Sequence, residues 1–550
     1  MSTNRKYRRG LVTAIFASSA FLGQGVQAAS HGGDKDQLGA VQFPTSCRAE
    51  SQPMLEKGLA LLHHMTYVDA RTTFEAVAKA EPDCAMAYWG MAMSLIHPLW
   101  SDPPNQDEFV QGQAMIESAR SKGEKTPREL AYIEAVASYY AQGRTPKETD
   151  NLTAFAQGWQ NVHEAFPDDP EATAFYALAH LATASPEDKS YVKQNQAGET
   201  AATVLKQLPT HPGAHHYMIH AYDYPELAPK ALAVARRYGD IAPSIPHALH
   251  MPTHIFTRLG LWDESIAMNI RSAEAAKQHP AGNQLSLHYL HALDYLMYAY
   301  LQQAQDEKAV NVRDTILALN DPLQPHVASA YTLAAAPARY ALERQQWALA
   351  AQLNPRIPGS YPWDSAPAME AITHFANALG AARSGDTQRA EKALQKLREL
   401  QALAEKGSAY WAKQVEIQRL SALAWLYFHL GKQDQALQTM QNAADLEATT
   451  EKHPVTPGEI LPARELLADM LLEMKKYRQA LVEYETALNR SKNRFNSIYG
   501  AARSAELAGD KDQATHYYQM LLDLAGLDLA GAGEASRPRL QHAKDFLSGK

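Results

Sequence analysis

The sequence predicts an all-α fold, an α-solenoid of helix-turn-helix units, and three observations carry that prediction. At 550 residues the chain is far longer than one compact core supports, so it needs several domains or an elongated array. Ala and Leu abound, Gly (29) and Pro (30) are ordinary, and alternating Val/Ile/Thr runs are almost absent, which argues against sheets. The third observation is a period. In "KKYRQALVEYETAL" and "GDKDQATHYYQMLL", Ala480 and Ala514, and Tyr484 and Tyr518, stand 34 residues apart, the mark of helix pairs that pack through a small residue.

The N-terminus comes first in the array's order and is a different kind of sequence. Arg5, Lys6, Arg8 and Arg9 precede the apolar run LVTAIFASSAFLG and a small-residue site near Ala28, so residues 1–29 are expected to be a secretory signal peptide. The apolar part is too short to span a bilayer, and no later stretch predicts a transmembrane segment after cleavage. The Arg8-Arg9 pair leaves twin-arginine export open beside the general route. The expected location is periplasmic or secreted. Residues 30–50 form a lead segment carrying Cys47. In an oxidising compartment its pairing with Cys84 as a disulfide is favoured over a metal site or a catalytic thiol.

Residues 51–345 are expected to be the first array. In "GLALLHHMTYVDARTTFEAVAKAEP", Gly58, Ala70, Phe74 and Pro82 fall at the spacing of a close-approach glycine, a small packing residue, a core aromatic and a terminal proline. Here the sequence resembles the tetratricopeptide repeat (TPR) family, and "PDCAMAYWGMAMS", "HPGAHHYMIHAYD" and "HALHMPTHIFTRLGLWDESI" resemble its exported bacterial members. The resemblance implies a right-handed superhelix with a concave binding surface, and a role in gathering protein partners. Residues 346–365 are expected to be an irregular linker, 366–530 a second array and 531–550 a tail.

The middle of the first array carries the chemistry. Pro212 and Pro246 are 34 apart, each where proline opens a helix without losing a bond. His216 and His220 are one turn apart, as are His250 and His254, so the four can share two facing stripes. On the family pattern, positions two, five, nine, twelve and thirteen of each repeat, counted from its proline in this region, point into the groove, and upstream His63 and His97 share position thirteen. That pattern would place His247 and Asp223 with the four histidines. Seven of the 22 histidines lie between 211 and 254, where an even spread would put about two.

Neutral imidazoles one turn apart can share an ion, and a facing helix can add further ligands. His216, His220, His250 and His254 are therefore the expected ligands of a divalent metal, with zinc, copper or iron suiting a histidine-carboxylate set. His247, Asp223, His291 and Asp294 are expected to orient those ligands or add to them. The competing interpretation is that the histidines hydrogen-bond carbonyls and each other, or grip an acidic peptide. Pro252 is expected to bend or loosen its helix between His250 and His254, either re-aiming His254 or merely fitting the superhelical curvature.

The charge excludes one class of partner. With 52 basic and 60 acidic residues mixed along the chain and a net charge of −8, there is no basic footprint for nucleic acid. No phosphate-binding glycine loop, nucleophile elbow, or serine or cysteine beside a base is present, so no catalytic residue is assigned. The expected function is binding of a protein, peptide or small-molecule ligand in a histidine-rich concave groove with a metal ion held by the paired histidines. A metal-dependent hydrolase or oxidase on the same scaffold, and an interaction scaffold without metal, stand beside it.

Overall fold

A computed structural model describes residues 37–100, 102–144, 147–185, 187–527 and 537–549. The expected signal peptide, the first residues of the lead segment and part of the tail lie outside the described residues. Among the described residues the regular structure is helical, with two isolated β-bridges, Ala281 with Gln284 and Leu285 with Leu323. No described helix is long and apolar enough to cross a membrane.

The helices are arranged as pairs in series. Pro367–Ser384 packs on its successor Thr387–Glu405 and also on Ala409–His429, which in turn meets Ala463–Glu473 and, through it, Phe495–Ala508. Contacts to the next helix and to the next but one are what a stacked helix-pair solenoid requires, because no single pair can bury its own apolar face. The predicted small and aromatic positions explain the close approach. Ala480 and Tyr484 on Tyr477–Arg490, and Ala514 and Tyr518 on Lys511–Leu524, are fully buried. The Phe74 ring fits between Gly58 and Gly90, where a Cβ would come within 2.7 and 2.5 Å of it. Tyr484 meets Gly500 in the same manner, at 2.1 Å from the Cβ that glycine lacks.

The lead segment is extended and threads across several helices. Its backbone N–H groups at Gln42, Ser46 and Arg48 are accepted by the carboxylates of Glu171 (2.7 Å), Glu129 (2.8 Å) and Glu81 (2.9 Å). Phe43 is fully buried against Trp89, with ring centroids 5.3 Å apart, and Cys47 is disulfide-bonded to Cys84. Residues 351–366 are irregular apart from the short turn Trp363–Ser365. Near the C-terminus, helix Pro538–Leu547 buries Leu540 and Ala543 against Lys511–Leu524.

The feature that shapes the site is a return of the chain upon itself. Trp262 Nε1 donates to Asn493 O (3.0 Å) and Tyr295 Oη donates to Pro454 O (3.2 Å). Arg494 donates to Tyr298 Oη (3.0 Å) while pairing with Glu343 and Glu465. The irregular segment 450–462 thereby lies over the middle helices and roofs the histidines.

Candidate metal centre

Two proline-led helices supply the predicted imidazoles. Pro212–Tyr222 begins at its proline, with His211 Nδ1 accepting the Ala214 N–H (3.0 Å) as an N-terminal cap. The second helix begins at Pro246 and is interrupted. Pro252 has no N–H to give the Ala248 carbonyl, and the run divides into Pro246–His250 and Pro252–Leu259. Met251 between them keeps helical angles (φ −52°, ψ −39°), and the His254 N–H bonds Met251 O at 3.2 Å, a tightened turn. Helix Leu287–Gln302 brings His288 and His291 against the same space.

The imidazoles divide into two groups whose nitrogens lie within 4.8 Å of one another: His216, His220 and His247 in one, His250, His254 and His291 in the other. The four predicted ligands thus fall two and two, and each pair is completed by a histidine from another helix. All but the half-buried His220 are buried. The sequence placed them along an open groove. The structure puts them beneath the returning segment, because Lys452, His453 and Pro454 occupy what the helix pairs alone would have left open.

Hydrogen bonding fixes where the protons are. Asn269 Nδ2 donates to Ser265 O (2.9 Å), so its Oδ1 is the atom facing His250 Nδ1 at 2.8 Å, and His250 must donate from Nδ1. His254 Nδ1 lies 2.9 Å from Asp223 Oδ2 and donates to that carboxylate. Both Nε2 atoms therefore carry lone pairs when the rings are neutral, yet they stand 3.2 Å apart. Two acceptors at that distance repel unless a cation lies between them. Two nitrogens at about 2.05 Å from a tetrahedral ion are separated by roughly 3.3 Å, which matches.

A shared proton is the alternative cation, and the surroundings oppose it. Burial pushes the His250 and His254 imidazoles down, and each repels the charge of its neighbours. Lys452 Nζ donates to Asp223 Oδ2 (3.0 Å) and Arg258 Nε to its Oδ1 (2.8 Å), so two fixed cations already neutralise the carboxylate. Burial alone would raise Asp223, but Lys452, Arg258 and His254 hold it well below the usual carboxylate range. Lys452 itself is pushed down to about 8 by burial. Asp223 thus orients His254 as a carboxylate backing a ligand would.

Asp294 has a different partner. It is fully buried, pushed up to about 6 by that burial, and faces Arg339 Nε at 3.3 Å rather than an imidazole. His291 has a buried Nδ1 without a hydrogen-bond partner. His63, Glu171 and His211 form a third close group, but it is a completed network. Glu171 accepts both Nε2–H groups (2.8 and 3.0 Å), His63 Nδ1 accepts from Tyr217 Oη (2.8 Å), and His211 Nδ1 caps its helix. No imidazole lone pair is left for an ion there. His97, another groove candidate by register, stacks on Tyr67 and bonds Asp102 at 2.9 Å.

Two cavities adjoin the cluster. One, of about 70 Å³, is walled by His220, His247, His254, His291 and Trp100. The other, of about 400 Å³, is lined by Asp223, Tyr224, Tyr410, Trp411 and Lys452, and His220, Val327, His453 and Pro454 belong to both walls. Sequence reasoning did not find Lys452, His453, His326, Arg258 or Trp100. Lys452 is 229 residues from Asp223 and lies outside any repeat, so no period reports it; the stretch "EKHPVTP" offers no register for His453.

No protein-family model matches the chain, and no curated protein does. Solved structures align over most of its length at low identity. A human IFIT1 dimer with PPP-AAAA is 12% identical over 85% of this chain and 89% of that chain, with TM-score 0.35. Yeast Tom70 is 12% identical over 91% of this chain and 95% of that chain, also with TM-score 0.35. The IFIT1 monomeric mutant with Gppp-AAAA is 13% identical over 87% and 96%, with TM-score 0.37.

Proposed function

We propose that the chain is an exported metal-binding helical-repeat protein in which His250, His254 and His291 hold a first-row divalent ion at the end of a ligand cavity. The observation that carries the reading is the 3.2 Å approach of two Nε2 atoms whose Nδ1–H groups are both committed elsewhere. Neutral imidazoles are the form a metal takes up, and burial keeps these rings neutral. An all-nitrogen set suits zinc, copper or iron. Three protein ligands leave a coordination position for a ligand, as in metal sites that bind or transform small molecules.

The ligand is expected to enter by the larger cavity, where Tyr410 and Trp411 offer aromatic faces and Lys452 a cationic end. Export is supported by the charged and apolar order of residues 1–29 and by the Cys47–Cys84 pair. Elemental analysis of untagged protein from its native compartment tests the reading. At least one equivalent of zinc, copper or iron per chain is expected, and its loss in the His216→Ala/His250→Ala variant. Native protein without stoichiometric metal would leave only a helical docking platform.

A further inference from the structure

We infer that the cluster is built for two ions, the second held by His216, His220 and His247. The inference rests on the metal reading above and extends it to the other half of the cluster. A single ion bound by all four predicted histidines would require one close group containing His216, His220, His250 and His254. Among the described residues the close groups divide instead between the two helices, with His247 completing the first and His291 the second.

The first group shows part of the same pattern. His216 Nδ1 lies 2.7 Å from the backbone carbonyl of His63, which can only accept, so Nδ1 donates and Nε2 carries the lone pair. That Nε2 stands 3.1 Å from His220 Nε2, a separation that suits two ligands on one tetrahedral ion and equally an N–H···N bond from His220, so His247 decides between them. His247 is the independent sign. It is 6% exposed, and neither ring nitrogen has a hydrogen-bond partner. Its ring centroid is 5.0 Å from that of His216. Buried polar atoms are nearly always paired, and an ion would pair the ring nitrogen that carries the lone pair.

The two groups are neighbours that share a space. The His220 and His254 ring centroids are 6.2 Å apart, and each group gives two rings to the wall of the cavity of about 70 Å³. Open positions on both ions would face it. The ligand class is therefore a molecule of a few heavy atoms with lone pairs at both ends, able to bridge two ions, for which azide is a suitable probe.

The test uses the full chain stripped with a chelator and titrated with Zn(II) by calorimetry, with elemental analysis after dialysis. Wild type is expected to take two equivalents, and His247→Ala and His291→Ala one each. His220→Ala, at a half-buried position, serves as a second route to one equivalent if His247→Ala does not fold. Loaded with Cu(II), wild type should give a paramagnetic resonance signal integrating to fewer than two spins and responding to azide. His247→Ala should give one isolated-copper signal. One equivalent in wild type, or two that survive both His247→Ala and His220→Ala, overturns the two-ion inference while leaving the first site standing. No uptake by wild type overturns it together with the reading beneath it.

Discussion

Asp223→Asn separates a carboxylate that orients a ligand from one that merely balances charge. Oδ2 accepts from His254 Nδ1 (2.9 Å) and Lys452 (3.0 Å), while Oδ1 accepts from Arg258 Nε (2.8 Å). An amide has one acceptor oxygen. Turned toward Arg258, it points its NH2 at Lys452 and at His254, which must then accept at Nδ1 and carry its proton on Nε2, facing His250. The lone-pair pair becomes an ordinary N–H···N bond and the ion loses a ligand. Turned the other way, the NH2 opposes Arg258. Disturbing such a backing group lowers metal affinity about 10- to 100-fold, or about 1.4–2.7 kcal/mol. Leaving two buried cations against a neutral amide should also cost the metal-free fold about 3–5 kcal/mol. Adding Lys452→Met removes one of those cations. The double variant should recover part of the stability, read as the urea midpoint in chelator, while its Zn(II) affinity, read by competition with a chromophoric chelator, stays low. Affinity within threefold of wild type in Asp223→Asn, with only the midpoint lowered, would refute the orienting role.

Other outcomes follow from the same contacts. Gly90→Ala places a methyl against the Phe74 ring, 2.5 Å from a Cβ at that position, and overpacking of this kind should destabilise the fold by about 1–3 kcal/mol in urea melts. Pro252→Ala restores a donor to the Ala248 carbonyl; if the break aims His254, zinc affinity falls at least fivefold with the melting temperature unchanged or higher, and unchanged affinity makes the proline incidental. Acid should weaken the fold through its buried neutral imidazoles. His64, fully buried, donates to Leu38 O and accepts from Tyr238, and burial pushes it down from 6.5 to about 3. The unfolded chain takes that proton first, so the contribution is complete above pH 6.5 and declines toward pH 3, by about 1.4 kcal/mol per unit. His216, His247 and His250 are pushed down in the same direction, again by burial. The urea midpoint of the chelated protein should fall steeply between pH 6.5 and 4, less so in His64→Gln; a flat profile would contradict the buried-neutral assignment.

The helix pairs were legible in the sequence because each must present the same small and aromatic positions to its neighbour. Ala480 with Ala514 and Tyr484 with Tyr518 expose that repetition directly. Pro212 and Pro246 each open a helix as their spacing predicts, and each one-turn histidine pair falls within one close group. What the period cannot report is closure between distant parts. Lys452 and His453 come from a segment without repeat spacing, and only the return of the chain brings them over Asp223 and His220. The division of four histidines into two groups depends on His247 and His291, whose helices approach from different sides. The sequence held both as additional ligands without fixing which pair each would join. Glu171 was invisible for a related reason: its partners are 108 and 40 residues away, and only the fold makes His63 and His211 a satisfied pair rather than open ligands.

On the proposed function, the Nε2 atoms of two neutral, backed imidazoles face one another across a cation. The most direct measurement is an anomalous difference map from crystals of the full chain, collected at the absorption edge of the metal it carries. A peak about 2.0–2.1 Å from the Nε2 atoms of His250 and His254, with His291 completing the set, is the predicted result. Ordered imidazoles with no peak among them, or metal bound only elsewhere on the chain, would contradict it.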